Sequence, residues 1–229
     1  MSAPSSGLVL FDCDGTLVDS VGHIHRSLAA ACAALNMPEP ALDAVRVLIG
    51  LPLSEVIARI LPGAAEADIA AVARGYREAF HDLGGAEGVL YDGATEILTL
   101  LGGTGVLGVA TGKGRNGLSR VLAWHGIDHH FSVLKTADDG PGKPAPDIVL
   151  DAMAETGFAE HQTWVIGDTT YDMEMAYNAG VTAIGVAWGY HDAGRLAEAG
   201  AAAVAQSFEE IPDLLQALRR AGPNRGRGT

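Results

Sequence analysis

Cysteine and basic residues are both scarce in this chain of 229 residues. Cys13 and Cys32 are the only cysteines, too few for a disulfide framework or a four-cysteine zinc site. Lysine and arginine together number 15 against 28 acidic residues, which gives a formal net charge of −13. Because duplex nucleic acid and anionic membranes bind clustered cations, this balance argues against both as the main partner. A small anionic ligand stays open, since a local site can be positive within a negative surface.

Long apolar runs are missing as well. The longest stretches without charge, residues 97–112 and 175–191, contain glycines and fall short of the ~20 apolar residues that a membrane-spanning helix needs. The first residues carry neither the basic segment nor the apolar core of a signal peptide. These absences predict a soluble, cytoplasmic protein. The length and a hydrophobic content of 48% predict one core domain with a smaller insert.

Short apolar runs rich in strand formers recur along the chain, at residues 8–11, 106–110, 131–134, 163–166 and 181–186. Between the later runs, apolar residues keep the spacing of one helix face, as Leu118, Val121 and Leu122 do. Strands that are apolar throughout and alternate with helices are typical of a parallel sheet covered on both faces. The sequence therefore predicts an α/β fold.

The segment from residue 20 to residue 83 breaks this alternation. It contains no strand-like run, its apolar residues keep a helical period, and prolines divide it into about four helices. These helices could simply pad the sheet, but the interruption favours a separate cap over the strand ends. We therefore predict a helical cap at 20–83 and a discontinuous core at 1–19 and 84–229, in which 219–229 form a frayed tail.

Polar residues cluster where the predicted strands end, which is where open α/β sheets bind ligands. The residues concerned are carboxylates, a hydroxyl, a glycine and lysines: Asp12, Asp14, Thr111, Gly112, Lys113, Lys143, Asp168 and Asp172. Two like charges ~4 Å apart repel by ~4 kcal/mol at an effective dielectric constant of ~20, so such a group of acids needs a counter-charge. Several carboxylates and other hard oxygen ligands suit Mg2+.

These residue types suit phosphoryl transfer. Asp12, at the end of the first strand, can attack phosphorus through its carboxylate. Asp14 can protonate the leaving oxygen as a general acid and then activate water as a general base. The Thr111 hydroxyl and the Gly112 amide can hold phosphate oxygens, and Lys143 can neutralise both the nucleophile and the transferring group.

Four segments resemble, in order, the motifs of the haloacid dehalogenase-like hydrolases: DCDGTLVDS at 12–20, ATGK at 110–113, GKPAPD at 142–147 and GDTTYD at 167–172. The resemblance extends from about residue 7 to residue 215. The helical insert resembles the type 1 cap of that superfamily. Within the superfamily the sequence is most similar to phosphoglycolate phosphatase and its near relatives.

The resemblance implies a Rossmann-like core and a role for each motif residue. Asp12 is the implied nucleophile, Asp14 the acid/base, and Thr111 and Lys143 the phosphate binders. Mg2+ would be held by Asp12, the Asp14 carbonyl and Asp168, with Asp172 as a supporting acid. The dehalogenases of the superfamily lack the second aspartate, so Asp14 favours hydrolysis of a small phosphate ester such as phosphoglycolate.

Several alternatives stay open at the level of sequence. Mutases of the β-phosphoglucomutase type also keep both aspartates, and a phosphate-ligand binder without activity is a third, less favoured possibility. Lys113 could contact the phosphate or substrate, or could be solvated. The protein could be a monomer or a homodimer. We expect the cap to open and close about hinges at 18–20 and 83–88.

The glycines at 112, 114 and 117 match G-x-G-x-x-G, the dinucleotide-binding fingerprint. That function requires an acidic residue at the end of the following strand. The strand predicted at 131–134 ends instead in Lys135 and Thr136. Cys13 alternates with the two aspartates along an extended strand, so its side chain is expected to point away from them into the core.

Overall fold

The computed structural model describes residues 7–82 and 88–221. Eight strands lie in the described residues: β1 (Leu8–Phe11), β2 (Val18–Asp19), β3 (Val89–Leu90), β4 (Val106–Ala110), β5 (Val133–Lys135), β6 (Thr163–Gly167), β7 (Thr182–Val186) and β8 (Ala203–Ala205). Six of them form one sheet in the order β5-β4-β1-β6-β7-β8, and every neighbouring pair is parallel. The predicted parallel sheet is confirmed.

Ten α-helices accompany these strands in the described part of the chain: α1 (Val21–Ala34), α2 (Leu42–Arg46), α3 (Leu53–Ile60), α4 (Glu66–Asp82), α5 (Ala94–Gly102), α6 (Arg115–His125), α7 (Asp147–Thr156), α8 (Thr170–Asn178), α9 (Ala193–Glu198) and α10 (Ile211–Ala221). Three short 3-10 turns complete the set, at Asp128–His130, Glu160–Gln162 and Phe208–Glu210.

Strand β1 shows why the sheet is buried on both faces. Its side chains alternate, so that Val9 and Phe11 pack into one apolar cluster while Leu8 and Leu10 pack into another. Helices α5, α6 and α10 contribute to the first cluster, and α7 and α8 to the second. A strand covered on both faces must be apolar at every position, which is the pattern read from the sequence.

Helices α1 to α4 form a second structural layer with an apolar cluster of their own. The most extensive contact among these helices is between α1 and α4, which pack along apolar faces that include Leu28, Ala31, Val72 and Ala73. The number of helices agrees with the division that the prolines predict. The Rossmann-like α/β core with a helical cap is thus the fold of this chain. The limits of the cap as an independent domain stay a prediction.

A short antiparallel pair joins the two ends of the cap segment. Val18 pairs with Leu90 and Asp19 with Val89, so β2 and β3 lie where the chain leaves the core and returns to it. One predicted hinge, at 18–20, includes β2. Of the other, at 83–88, residues 83–87 lie outside the described residues, and Gly88 has a φ of +88°.

The C-terminal boundary differs from the prediction. Helix α10 includes Arg219 and Arg220, which the sequence assigned to a frayed tail. The Arg219 guanidinium lies 4.6 Å from the centre of the Trp164 ring, and this stacking helps to hold the last turn on the core. Residues 222–229 lie outside the described part. None of the described helices is long and apolar enough to cross a membrane.

Candidate active site

The sheet order brings three of the sequence motifs together. Strand β1 lies between β4 and β6, and Asp12, Thr111 and Asp168 each follow directly after one of these strands. Because the three strands are parallel, these residues all lie at the same edge. Each of the three is 1% exposed or less. Residues far apart in sequence therefore share one buried site.

Asp12 lies at the centre of this site. Its Oδ1 forms an ion pair with Lys143 Nζ at 3.0 Å, and both of its oxygens are buried without a hydrogen-bond partner in the described residues. Burial raises the pKa of Asp12 to about 6; the charges of Asp172 and Asp14 act in the same direction, and Lys143 opposes them. A buried carboxylate oxygen with nothing to bind is costly, and it is the donor that an electrophile or a cation would use.

Asp168 and Asp172 complete the group of acids around Asp12. The Asp168 oxygens accept hydrogen bonds from Thr16 Oγ1 at 2.9 Å and from the Tyr190 amide at 2.9 Å. Burial, together with the charges of Asp12 and Asp172, raises the pKa of Asp168 well above its usual value.

Asp172 binds differently from Asp168. Its Oδ1 accepts from Lys143 Nζ at 2.5 Å, and its Oδ2 caps helix α8 by accepting from the Thr169 amide and hydroxyl. Burial alone would lower the pKa of Lys143, but Asp12 and Asp172 outweigh it and raise that pKa above its usual value. Lys143 is therefore a cation held between two of the acids.

The donor set suits a divalent cation. Asp12, Asp168 and Asp172 each offer an oxygen, and these atoms lie within 4.8 Å of one another. Three carboxylates against the one ammonium of Lys143 leave two uncompensated negative charges in a buried place. Both oxygens of Asp172 are engaged, by Lys143 and by the Thr169 cap, whereas Asp168 receives only neutral donors and Asp12 Oδ2 has no hydrogen-bond partner in the described residues, so Asp12 and Asp168 are the better candidates for metal ligands. Hard oxygen donors of this kind suit Mg2+.

Asp14 lies apart from the other three acids. Its Oδ1 accepts from Ser20 Oγ at 2.5 Å, and its Oδ2 is 3.0 Å from Lys113 Nζ. The carboxylate is therefore engaged on the cap side of the site. The structure places Lys113 in the interior, its ammonium also 5.0 Å from the centre of the Phe80 ring, so that the solvated alternative does not describe it.

The turn that carries Asp14 requires glycine. Gly15 has a φ of +87°, in the left-handed region, and its amide donates to the Val18 carbonyl at 2.8 Å. A Cβ at this position would overlap the Asp168 carboxylate and the Tyr190 ring. The turn thus lies directly against Asp168, a proposed metal ligand, and a larger residue at position 15 would displace the Asp168 carboxylate.

Thr111 and Gly112 lie where the core meets the cap. The Thr111 hydroxyl accepts from the Lys113 amide at 3.3 Å and keeps its own proton available for an anion. A Cβ on Gly112 would overlap the carbonyl groups of Gly50 and Leu51, in the cap loop before α3. The first glycine of the G-x-G-x-x-G match therefore serves a close approach of two backbones, which further weakens the dinucleotide interpretation.

Cap and core are also joined through one backbone carbonyl. Val47 O, in the cap, accepts from Tyr171 Oη at 3.2 Å and from His191 Nε2 at 3.0 Å. His191 Nδ1 accepts from the Thr170 amide at 3.1 Å, so Nε2 is the protonated nitrogen. We call Val47, Tyr171 and His191 the cap latch.

The sequence analysis missed several residues of the site. Ser20, Tyr190 and His191 were not named as site residues, and neither was Thr16, whose hydroxyl donates to Asp168. Tyr190 accepts from the Ser20 amide at 3.1 Å, and thus connects the start of the cap with the Asp168 carboxylate. Tyr190 and His191 follow strand β7, and the rule on strand ends would have found them there. Cys13 packs in the apolar core as predicted.

Comparison with known proteins agrees with this architecture. A family model described as haloacid dehalogenase-like hydrolase matches residues 9–186. The chain is 37% identical to "Probable phosphatase IndB" of Dickeya dadantii, over 92% of this chain and 94% of that one. It is 30% identical to a phosphoglycolate phosphatase of Haemophilus influenzae, over 80% of this chain and 87% of that one.

The chain belongs to the haloacid dehalogenase-like hydrolase family. Among solved structures it is similar to a "Putative beta-phosphoglucomutase" from Bacteroides vulgatus, with a TM-score of 0.77 and 25% identity over 96% of this chain and 91% of that one. As a member of this family with relatives named as phosphatases, the protein is a hydrolase of the phosphatase type. The family assignment inferred from the four motifs is confirmed.

Proposed function

We propose that this haloacid dehalogenase-like hydrolase is a Mg2+-dependent phosphatase that acts on a small phosphorylated metabolite through an aspartyl-phosphate on Asp12. The observation that carries the proposal is the unpartnered Asp12 Oδ2, buried among Asp168, Asp172 and Lys143. Such an oxygen is available to attack phosphorus. Lys143, together with a Mg2+ ion that the acids would hold, would supply the positive charge that a phosphate dianion requires.

The reaction proceeds in two displacements. In the first, Asp12 Oδ2 forms a bond to phosphorus while the bond to the ester oxygen breaks, and Asp14 gives its proton to the leaving alcohol. In the second, Asp14 takes a proton from water, the water oxygen bonds to phosphorus, and Asp12 is released with inorganic phosphate. The Thr111 hydroxyl, the Gly112 amide and Lys143 hold the phosphoryl oxygens. Lys113 is a proposed substrate-binding residue, and it also forms an ion pair with Asp14.

The proposed metal ligands are Asp12, Asp168 and the Asp14 carbonyl, with Asp172 in a supporting role through Lys143. When bound, Mg2+ would supply positive charge that offsets the carboxylates and polarises the phosphoryl group. Phosphoglycolate is the first substrate to test, since relatives carry that name. In this proposal the binding partner is a phosphate ester rather than a nucleic acid or a membrane. The protein acts as a monomer or a homodimer.

A phosphosugar mutase is the second candidate, favoured by the presence of both Asp12 and Asp14 and by the likeness to a structure named as a β-phosphoglucomutase. A mutase would interconvert sugar phosphates in the presence of a bisphosphate and release little phosphate. A binder without activity would bind phosphate esters and hydrolyse none. Product analysis separates the three.

Phosphate release from p-nitrophenyl phosphate and a metabolite panel, with Mg2+ and with a chelator, tests the proposal. We expect turnover that depends on Mg2+, and a fall in kcat of at least about 10³-fold in Asp12→Asn, which cannot form the acyl phosphate. Asp151→Asn, an exposed acid on α7, is the matched control and should leave kcat unchanged. Full activity in Asp12→Asn would overturn the covalent mechanism.

A further inference from the structure

A large cavity lies between the cap and the core, and Asp12, Asp14 and Thr111 are among the residues that line it. Its volume is about 760 Å³. Pockets of roughly 300–1,000 Å³ bind organic ligands of the size of a drug molecule. A two-carbon ester such as phosphoglycolate would leave most of this space to water.

The cap supplies an apolar wall to this cavity. Ile24 and Leu28 line it from α1, Val56 from α3, and Tyr76 and Phe80 from α4. All five also belong to, or pack against, the apolar cluster of the cap. The surface that faces the leaving group is thus part of a hydrophobic core and offers two aromatic rings, which favours an apolar or aromatic group over a carboxylate.

The cationic side chains around the cavity are each engaged in a contact within the protein. Lys113 is 3.0 Å from Asp14, Arg77 Nη1 donates to the Ala73 carbonyl at 3.2 Å, and His81 lies 3.1 Å from Asp82. Arg120 is engaged as well. A glycolate carboxylate beside Asp14 would have to compete with that acid for Lys113.

Resting on the proposed phosphatase function, we infer that the substrate is a phosphate monoester whose alcohol carries an apolar group at least as large as an aromatic ring, held by the cap wall. The phosphate would lie beside Asp12, and the ring against the cap wall that α1, α3 and α4 line. Binding of the ring would remove apolar surface from water on both partners, which gives selectivity for such esters.

A pair of esters that differ in the ring alone tests this inference. Ethyl phosphate and 2-phenylethyl phosphate both release a primary alcohol, so leaving-group chemistry stays nearly constant between them. With Mg2+ we expect kcat/KM for 2-phenylethyl phosphate to exceed that for ethyl phosphate and for 2-phosphoglycolate by at least about 30-fold. Equal values, or a preference for 2-phosphoglycolate, would overturn the inference and leave the phosphatase function intact. Hydrolysis of no ester would overturn both.

Variants of the wall provide a second measurement. Leu53, half-buried and on the cavity, is suited to Leu53→Asn, and Tyr76→Ser offers an independent site on α4. Each should lower the ratio of kcat/KM for 2-phenylethyl phosphate to that for ethyl phosphate by about 5-fold or more. The control Leu150→Asn, an exposed leucine of α7, should leave this ratio unchanged. A ratio unaltered in both wall variants would contradict the inference.

Discussion

The Lys113 ammonium lies 3.0 Å from Asp14 Oδ2, and both side chains are less than one tenth exposed. Lys113 is therefore in a position to act on the reaction through Asp14, the proposed acid/base. Burial opposes the charge on Lys113, but Asp14 outweighs that effect and raises the pKa of Lys113 above its usual value.

If Lys113 acts through Asp14, its removal should depend on Asp14 being present. We expect Lys113→Met to lower kcat by about 10²-fold in the native background and by less than about 2-fold in Asp14→Asn. A double-mutant cycle on kcat and KM measures this coupling. Lys135→Met, which removes a lysine paired with Glu155 at 3.0 Å, is the control. Equal losses in both backgrounds would show that Lys113 contacts the phosphate independently.

Asp14 and Lys113 were both predicted as site residues from the sequence, but the contact between them was not. Positions 14 and 113 lie on different loops, and their contact depends on how the two loops approach each other. The strand-end rule placed both residues at the same edge of the sheet. The direction of each side chain is decided by local turns, such as the left-handed Gly15 between Asp14 and Thr16.

At the scale of elements, the cap latch is the contact that holds α2 and its following loop to the core. Its acceptor is the Val47 backbone carbonyl, and two side chains of the core donate to it, Tyr171 from helix α8 and His191 from the loop after β7. A backbone acceptor leaves no mark in the amino-acid sequence, because any residue at position 47 offers the same carbonyl. The latch was therefore not predictable, although the helices that it joins were.

Tyr171→Phe removes one of the two hydrogen bonds of the latch without changing the packing of the ring. A hydrogen bond of this kind contributes a net ~0.5–1.5 kcal/mol, so the cap should open about 2- to 10-fold more often. Hydrogen exchange of the α3 amides, without ligand, measures the opening. Tyr177→Phe, on the same helix with 74% of its surface exposed, is the control. Identical exchange in the two variants would show that the latch does not restrain the cap.

The length of an element decided whether the sequence could predict it. Strands β1, β4, β6 and β7 have four or five residues and lie within one residue of the predicted limits. β5 begins two residues later than predicted. β2 and β3 have two residues each, too few for a periodic pattern, and β8 (Ala203–Ala205) consists of two alanines and one valine, a weak strand signal. These short strands depend on tertiary pairing.

At the scale of the whole molecule, the order of the strands was beyond the sequence analysis. Alternation of strands and helices predicts a parallel sheet but not which strand lies in the middle. The order β5-β4-β1-β6-β7-β8 places the first motif between the second and fourth, and it thereby concentrates several buried acids at one edge of the molecule. The stability of the fold consequently depends on how those charges are compensated.

In the protein without metal, the ionisation of Asp12 makes the stability of the fold depend on pH. Its pKa rises from 3.8 to about 6 on folding, because burial disfavours the charged form. The folded state then binds a proton more tightly than the unfolded chain, so the associated stability is present below pH 4 and is lost as the pH rises through 6.

A divalent ion should reverse this loss. Below pH 6 a proton competes with the metal for Asp12, whereas above it the carboxylate is free to bind, so Mg2+ should stabilise the protein more at pH 7.5 than at pH 5. We expect 10 mM Mg2+ to raise Tm by several degrees at the higher pH and by about a degree or less at the lower one. In Asp168→Asn, which removes a ligand charge, the rise at pH 7.5 should largely disappear. A Tm increase that is independent of pH and survives in this variant would place the stabilising ion elsewhere on the acidic surface, because neither the Asp12 proton nor the Asp168 charge would then be part of its site.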